Sequence, residues 1–553
     1  MDKIKKFFDG FALIFVPVLF ICFFLFFPIL TLVKVAFSTG GRFNFSSFLS
    51  IVTDSYTLRV LYFTFKEAFV SAFVTVLIGL PGAYIVSHYN FRFKSFLMSL
   101  STVPFVLPSV LVGLGFIVLF GRNGILNNAL SYIFGRNVDI HLLYSFTGII
   151  LVHSFYNFPI ALRIVGSSWD GISEEYSYVA KSLGASKVRT FFAVTLPLLL
   201  PSVLSSFSLV FIFCFLSFVI IMTIGGAGFA TTEVAIYMYY NTFSDFRTGS
   251  VLAIIQALIL VIFVLIYLRA EGLSGVGIVK RTFSYTKQKW SRLSFSLSFS
   301  YLIFVFLLIV APMIVIVLSS FVASGSPGLS LSNFKQIFEG TYNYITGVSS
   351  GRVILNSVYF GLITVCLSIG LAIPSAYYLK LHTNLKKYVL PFLMFSIVLS
   401  PLTIALSYIV TFQPFINSSP FNWIFIAISH TLIAFPFVLR SIMPVVESTS
   451  TDFSLVARSL GLSKFKTFFT VDIDLIKKPL VSAATFAFAI SMGEFGATLM
   501  LFRSENTTIP IALYRLMSGR HFGAAQAFGT ILLIMSLLAF LLIDSLNSRK
   551  DYL

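Results

Sequence analysis

Apolar stretches of about twenty residues, separated by short polar connections, recur along the whole chain. FALIFVPVLFICFFLFFPIL near the start, LVFIFCFLSFVIIMTIGG before the middle and ILLIMSLLAFLLI near the end are examples. A helix rises roughly 1.5 Å per residue, so runs of this length cross a hydrocarbon core of about 30 Å. The pattern predicts spans near residues 11–36, 67–88, 96–120, 143–162, 196–222 and 248–268. A second set follows near 296–320, 353–379, 389–412, 421–439, 480–501 and 523–545. A membrane β-barrel would show short alternating segments, and these runs do not alternate. The expected fold class is all-α, a polytopic membrane protein of about 12 transmembrane helices. Pro and Gly inside spans, as in GLPGAY and VPFVLPSVLVGLG, are tolerated where neighbours satisfy the freed backbone groups.

Composition agrees with the pattern. Only 10% of residues are charged against 58% hydrophobic, too few to coat soluble domains. The net charge of +18 raises the question of nucleic acid, but Lys and Arg lie mostly in short connections and form no aromatic-interleaved basic domain. With Met1 placed in the cytoplasm, 26 of the 38 Lys and Arg fall in cytoplasmic segments, so both termini are expected there. The basic start MDKIKKFFDG precedes an apolar run too long for a signal peptide, with no small-residue cleavage site after it, and reads as an uncleaved first span. Cys22, Cys214 and Cys366 sit in apolar runs without metal-ligand spacing.

The polar segment SYVAKSLGASKVRTFF, beginning at Ser177, returns as SLVARSLGLSKFKTFF, beginning at Ser454. The shift of 277 also carries His153, Phe158, Pro159, Leu162 and Arg163 onto His430, Phe435, Pro436, Leu439 and Arg440. Residues 153–192 match 430–469 at 17 of 40 positions without gaps. The period is half the chain, so the sequence is a tandem duplication of a six-span unit, and both copies have the same orientation. The expected domains are 1–270 and 296–553, joined by a cytoplasmic linker at 271–295. In each copy Ser173-Glu174-Glu175 or Ser450-Thr451-Asp452 caps a short helix that ends at Gly184 or Gly461. Ser186 or Ser463 then caps a second helix leading back into the membrane. Such an element can rest on lipid headgroups or dock into a groove on a soluble partner.

Within the spans, Glu494 stands out as an acid, and its repeat equivalent is Ser217. A charge at the bilayer centre costs roughly 2.5–3.5 kcal/mol, so Glu494 should face protein or a water-filled path. It lines a translocation path or gate on one reading, and on the other makes a helix-packing hydrogen bond beside Gly493 and Gly496. His153 and His430 are expected to make structural hydrogen bonds, with metal ligation as the other reading. Ala230-Thr231-Thr232-Glu233 and Asn506-Thr507-Thr508 are expected just outside the spans, as solvated loops or as contacts for a binding protein. The chain has no Gly-x-x-x-x-Gly-Lys-Ser/Thr, no His-Glu-x-x-His and no Cys-x-x-Cys. It is not expected to be an enzyme, and energy must come from a partner or an ion gradient. A six-plus-six secondary transporter is the reading from another class.

The repeated segment resembles the EAA loop of permease subunits in binding-protein-dependent ABC importers. Tyr178-Val179-Ala180, Gly184 and Val194-Thr195-Leu196-Pro197 carry the resemblance in the first copy. Leu455-Val456-Ala457, Gly461 and Val471-Asp472-Ile473-Asp474 carry it in the second, and the family Glu is absent from both. The resemblance implies two tandem six-helix type I (MetI-like) domains. It implies ATPase-coupling residues at Glu175, Tyr178, Val179, Ala180, Leu183, Gly184, Ala185 and Lys187. The matching positions in the second copy are Asp452, Leu455, Val456, Ala457, Leu460, Gly461, Leu462 and Lys464. FGRNGILNNAL, LVHSFYNFPIALR and FCFLSFVIIMTIGG further resemble the fused two-half permeases of thiamine importers, relatives of ferric-ion permeases. SMGEFGATLMLF with TTIPIALYRLMSG is also similar to molybdate and sulfate permeases. The partners implied are a dimer of cytosolic ATPase subunits, an extracytoplasmic solute-binding protein, membrane lipid and a small-molecule substrate. No cofactor is expected on this chain, since the partner uses the ATP, and the expected location is a prokaryotic inner membrane.

Overall fold

The computed structural model describes residues 13–91, 94, 98, 107–135, 140–226, 228–273, 291–322, 328–417, 421–449 and 452–548. Most of the expected linker, the beginning of the third expected span and the cap residues Ser450 and Thr451 lie outside them. Among the described residues eleven helices are long and apolar enough to cross a membrane. A twelfth is added if the bent pair Thr383–Val398 and Pro401–Asn417 counts as one span.

The helices used below, in chain order, are α1 (Leu13–Ala36), α2 (Ser55–His88), α3 (Ser109–Phe120), α4 (Phe146–Asp170), α5 (Glu174–Ser182) and α6 (Leu196–Phe215). They continue as α7 (Thr232–Asn241), α8 (Phe246–Leu273), α9 (Arg292–Ser320), α10 (Ser350–Leu381) and α11 (Thr383–Leu393). The last are α12 (Pro401–Asn417), α13 (Asn422–Ser448), α14 (Asp452–Ser459), α15 (Ile473–Gly493), α16 (Gly496–Leu501), α17 (Ile509–Ser518) and α18 (Phe522–Ser548).

Two differences from the expected spans have local causes. The second span starts at Ser55 rather than near 67, because the Asp54 carboxylate caps it, accepting from Tyr56 N at 2.9 Å and Thr57 N at 3.1 Å. The ninth span bends by 92°. Pro401 cannot continue a helix through its missing N–H, and the Ser400 hydroxyl caps the new one by accepting from Thr403 N at 2.9 Å.

The chain forms two compact units. The first comprises Phe48–Phe243 and Val251–Leu318. Here α2 and α4 approach closely: a Cβ on Gly79 would lie 2.6 Å from the Ala161 Cβ. In lipid no hydrophobic drive pulls helices together, so contact through small residues supplies the packing. Ala83, Val165, Trp169 and Leu199 join α2, α4 and α6 in one cluster. The Phe211 and Phe263 rings stack at 3.7 Å between α6 and α8. Helix α9 also belongs here, and the Tyr301 hydroxyl donates to Ile78 O at 2.7 Å.

The second unit comprises Met1–Ser47, Ser244–Ser250 and Ser319–Leu553. Helices α10, α13 and α15 form its centre. The first helix of the chain belongs to it. Phe26 of α1 stacks on Phe392 at 4.8 Å and on Phe395 at 5.2 Å, and the Phe23 ring lies 5.9 Å from that of Phe412. The sequence duplication divides the chain near its middle, whereas the opening helix of each half, α1 or α9, is grouped with the unit that the other half mainly builds.

Candidate functional site

Each copy of the repeated segment folds the same way. In the first, the Ser173 hydroxyl accepts from Glu175 N at 3.2 Å and opens α5. Closure comes from Ala185 N donating to Ala180 O at 3.0 Å and Gly184 N donating to Lys181 O at 2.9 Å. In the second, Leu462 N donates to Ala457 O at 3.2 Å and Gly461 N to Arg458 O at 3.1 Å. This is a Schellman closure, which needs a left-handed residue after the helix. Gly184 has φ +84° and Gly461 φ +91°. A Cβ on either would meet nothing within 4 Å, so the dihedral alone calls for glycine. The Ser186 and Ser463 hydroxyls then accept from Arg189 N and Lys466 N, each at 3.3 Å.

The apolar side chains of these helices point outward. Tyr178, Val179 and Leu183 are exposed in the first copy, and Leu455, Val456 and Leu460 in the second, with Leu183 at 84% and Leu460 at 76%. Ala457 is buried and Ala180 half-buried, so the small residue seats each helix on its own chain. Ala185 and Leu462 are half-buried, while Glu175 and Lys187 are exposed. Asp452 and Lys464 open α14 and the turn Lys464–Thr467.

From each segment the chain enters the fifth span of its half through a five-residue π-turn, Phe191–Thr195 or Phe468–Asp472, again 277 residues apart. Helices α6 and α15 then stop at Phe215 and Gly493. The break that follows contains Ser217 in one half and Glu494 in the other. The Glu494 backbone is extended, at φ −69° and ψ 128°.

At each break sits the histidine of the fourth span. His153 Nε2 lies 2.8 Å from Ser217 Oγ, and its Nδ1 lies 2.5 Å from Glu67 Oε1 of α2. The Ser71 hydroxyl donates to the same Glu67 oxygen at 2.7 Å. His430 Nε2 lies 2.8 Å from Thr498 Oγ1 and 3.1 Å from Glu494 Oε2, and its Nδ1 lies 2.7 Å from Ser491 Oγ. Glu494 also caps α16, accepting from Ala497 N at 2.8 Å, Thr498 N at 2.9 Å and the Thr498 hydroxyl at 2.6 Å. Anionic caps suit a helix start. The two candidate pathway residues, Ser217 and Glu494, are therefore each joined to a repeat histidine.

Glu67 is a functional candidate that sequence reasoning missed. Its side chain is fully buried, although run length alone puts it at the edge of a span. The signal was present: Thr57, Thr64, Glu67, Ser71 and Thr75 recur at helical spacing in an apolar run, and all are buried. Placing Pro81 on Pro374 puts Thr64 on Ser357, Glu67 on Phe360 and Ser71 on Thr364. The hydrogen bonds support that register. Thr232 N donates to Thr64 Oγ1 and Ile509 N to Ser357 Oγ, both at 2.8 Å.

Those bonds also correct the reading of the threonine stretches as solvated loops. Thr231, Thr232, Glu233, Thr507 and Thr508 are all buried. They open the short helices α7 and α17, whose first N–H groups need acceptors inside the protein. Glu233 is bonded by Gln256, and the Thr507 hydroxyl donates to Thr346 O at 2.8 Å. Among the described residues no three His, Cys, Asp or Glu side chains gather where they could hold a metal ion.

The family model described as binding-protein-dependent transport system inner membrane component matches residues 75–270 and again 343–552, once in each half. The thiamine transport system permease protein of Haemophilus influenzae is 26% identical over 506 residues, which cover 91% of this chain and 90% of that protein. The corresponding protein of Escherichia coli is 24% identical over 513 residues, 91% of each. The ferric transport system permease protein of Actinobacillus pleuropneumoniae is 25% identical over 544 residues, 95% of this chain and 77% of its own length.

Proposed function

Since this chain belongs to the family of binding-protein-dependent transport system inner membrane components, and carries the family domain twice, we propose that it forms the translocation pathway of an ATP-driven importer for thiamine. The observation that carries this reading is the pair of identically closed helices, α5 and α14, each turning three large apolar side chains outward. Two such faces on one polypeptide suit two copies of a soluble ATPase subunit, one per half. A helix resting on lipid has no need of the same Schellman closure in both halves. Hydrolysis then takes place on the partner, and this chain passes its motion inward.

In this reading the termini, α5 and α14 lie on the cytoplasmic side, as the distribution of Lys and Arg favours. A solute-binding protein delivers cargo to the opposite side. The break at Ser217 in one half and the break at Glu494 in the other each offer unwound backbone of the kind that lines a translocation path. The names of the two thiamine permease relatives favour thiamine as the cargo. The ferric permease relative makes ferric ion the alternative cargo.

The test is reconstitution of the chain with its ATPase and receptor in proteoliposomes. Thiamine uptake should require ATP and receptor together. ATP-dependent uptake of ferric ion with no thiamine uptake would replace the cargo, and uptake driven by an ion gradient without any ATPase would overturn the mechanism.

A further inference from the structure

Each half contains one histidine at the break of its fifth span, and each histidine holds one buried carboxylate, but the two carboxylates come from different helices. On His153 the carboxylate is Glu67, from α2, at Nδ1. On His430 it is Glu494, from the break itself, at Nε2. The repeat register shows the relocation directly: Phe360 stands where Glu67 would be, and Ser217 stands where Glu494 would be. The Phe360 ring lies edge-on to His430 with centroids 5.9 Å apart, while the Nδ1 that meets Glu67 in the other half meets the Ser491 hydroxyl at 2.7 Å here. Burying a carboxylate is costly unless it is paired. Two halves that bear this cost at two unrelated positions, around the same histidine, share a requirement for the pair rather than for either position.

The histidine is also well placed mechanically. It lies on α4 or α13, and only three residues separate each of these helices from the outward-facing helix α5 or α14. Its other contact is the break in the neighbouring span. A displacement of α5 or α14 thus has a continuous route to the break: along the fourth span, through the imidazole, to Ser217 or to Thr498 and Glu494.

We propose that His153 and His430 are positioning residues that transmit motion from the outward-facing helices to the fifth-span breaks, and that each works only with one carboxylate on its ring, whichever helix supplies it. This rests on the ATP-driven reading given above. It assigns Glu67, which no motif marks, to the same role as Glu494.

The test uses the reconstituted complex with receptor, ATPase and thiamine as the probe cargo, and reads uptake per ATP hydrolysed. Glu67→Gln should lower that ratio about tenfold, within the usual range of coupling between sites, while the ATPase still copurifies with the chain. Adding Ser217→Glu to Glu67→Gln moves the carboxylate to the position it has in the second half and should restore the ratio to within about threefold of the parent. A carboxylate serving only as local packing at position 67 would give no such rescue. A double variant as impaired as Glu67→Gln, or Glu67→Gln with the parent ratio, overturns the proposal. If Glu67→Gln does not accumulate, Ser217→Ala decides: it removes the contact between His153 and the break while keeping the contact between His153 and Glu67, and an unchanged ratio overturns the proposal equally. Failure of the underlying reading looks different, because the parent chain itself would then show no ATP-dependent uptake and no bound ATPase.

Discussion

The Ser454 hydroxyl donates to Asp472 Oδ1 at 2.6 Å and ties α14 to the π-turn that opens the eleventh span. The equivalent residues of the first half are Ser177 and Thr195, which offer no anion. A hydrogen bond to a charged acceptor contributes about 1.5–3 kcal/mol when buried and less at a half-exposed site such as this. Asp472→Thr should therefore loosen the second outward-facing helix alone. Hydrogen exchange over 452–462 should speed up several-fold, while exchange over 174–185 is unchanged. Unchanged exchange over 452–462 would show that the bond does not restrain α14.

Gly184 and Gly461 answer to backbone conformation only, since a Cβ at either has open space. Alanine in the left-handed region costs about 1–2 kcal/mol and should leave the segments formed. Proline cannot reach a φ of +84° or +91°. The double variant Gly184→Pro, Gly461→Pro should unwind both closures and separate ATP hydrolysis from uptake in the reconstituted complex. Retained coupling would count heavily against a role for these segments.

Thr64 and Ser357 each accept the first backbone N–H of a short buried helix. Removing the acceptor leaves a buried donor unsatisfied, at about 1–3 kcal/mol. Thr64→Val and Ser357→Ala should each lower the thermal midpoint of the detergent-purified protein. Because the two bonds share no partner, their effects should add. A combined loss much smaller than the sum would mean that the sites are coupled.

Tyr301 holds α9 against α2 through its bond to Ile78 O. Tyr301→Phe should cost about 1 kcal/mol and keep the packing. Gly82→Leu should do more, since a Cβ at Gly82 would already lie 2.7 Å from the Tyr301 hydroxyl oxygen. Cysteine cross-linking between α2 and α9 should persist in the first variant and fall in the second.

Much of this molecule is legible in its sequence. Run length predicted the spans, the shift of 277 predicted two equivalent halves, and Gly184 and Gly461 marked the closures that the hydrogen bonds display. What escaped has physical reasons. Glu67 was hidden because hydropathy falls at an acid and mimics the end of a span, whereas the cap at Asp54 lies three turns earlier. The buried threonines of α7 and α17 looked like loop because nothing local announces an acceptor 168 or 152 residues away. The partner of His153 was equally remote, on a helix 86 residues upstream.

The grouping of α1 with the second unit has a bearing on biogenesis. Phe412 of α12, against which Phe23 of α1 rests, is made almost 400 residues after it. Helix α1 must therefore wait for these partners until the second half is made, and the first unit likewise waits for α9. Neither half can mature as an independent module during translation, so severing the chain within 271–295 should yield fragments that become stable only when both are produced in the same cell.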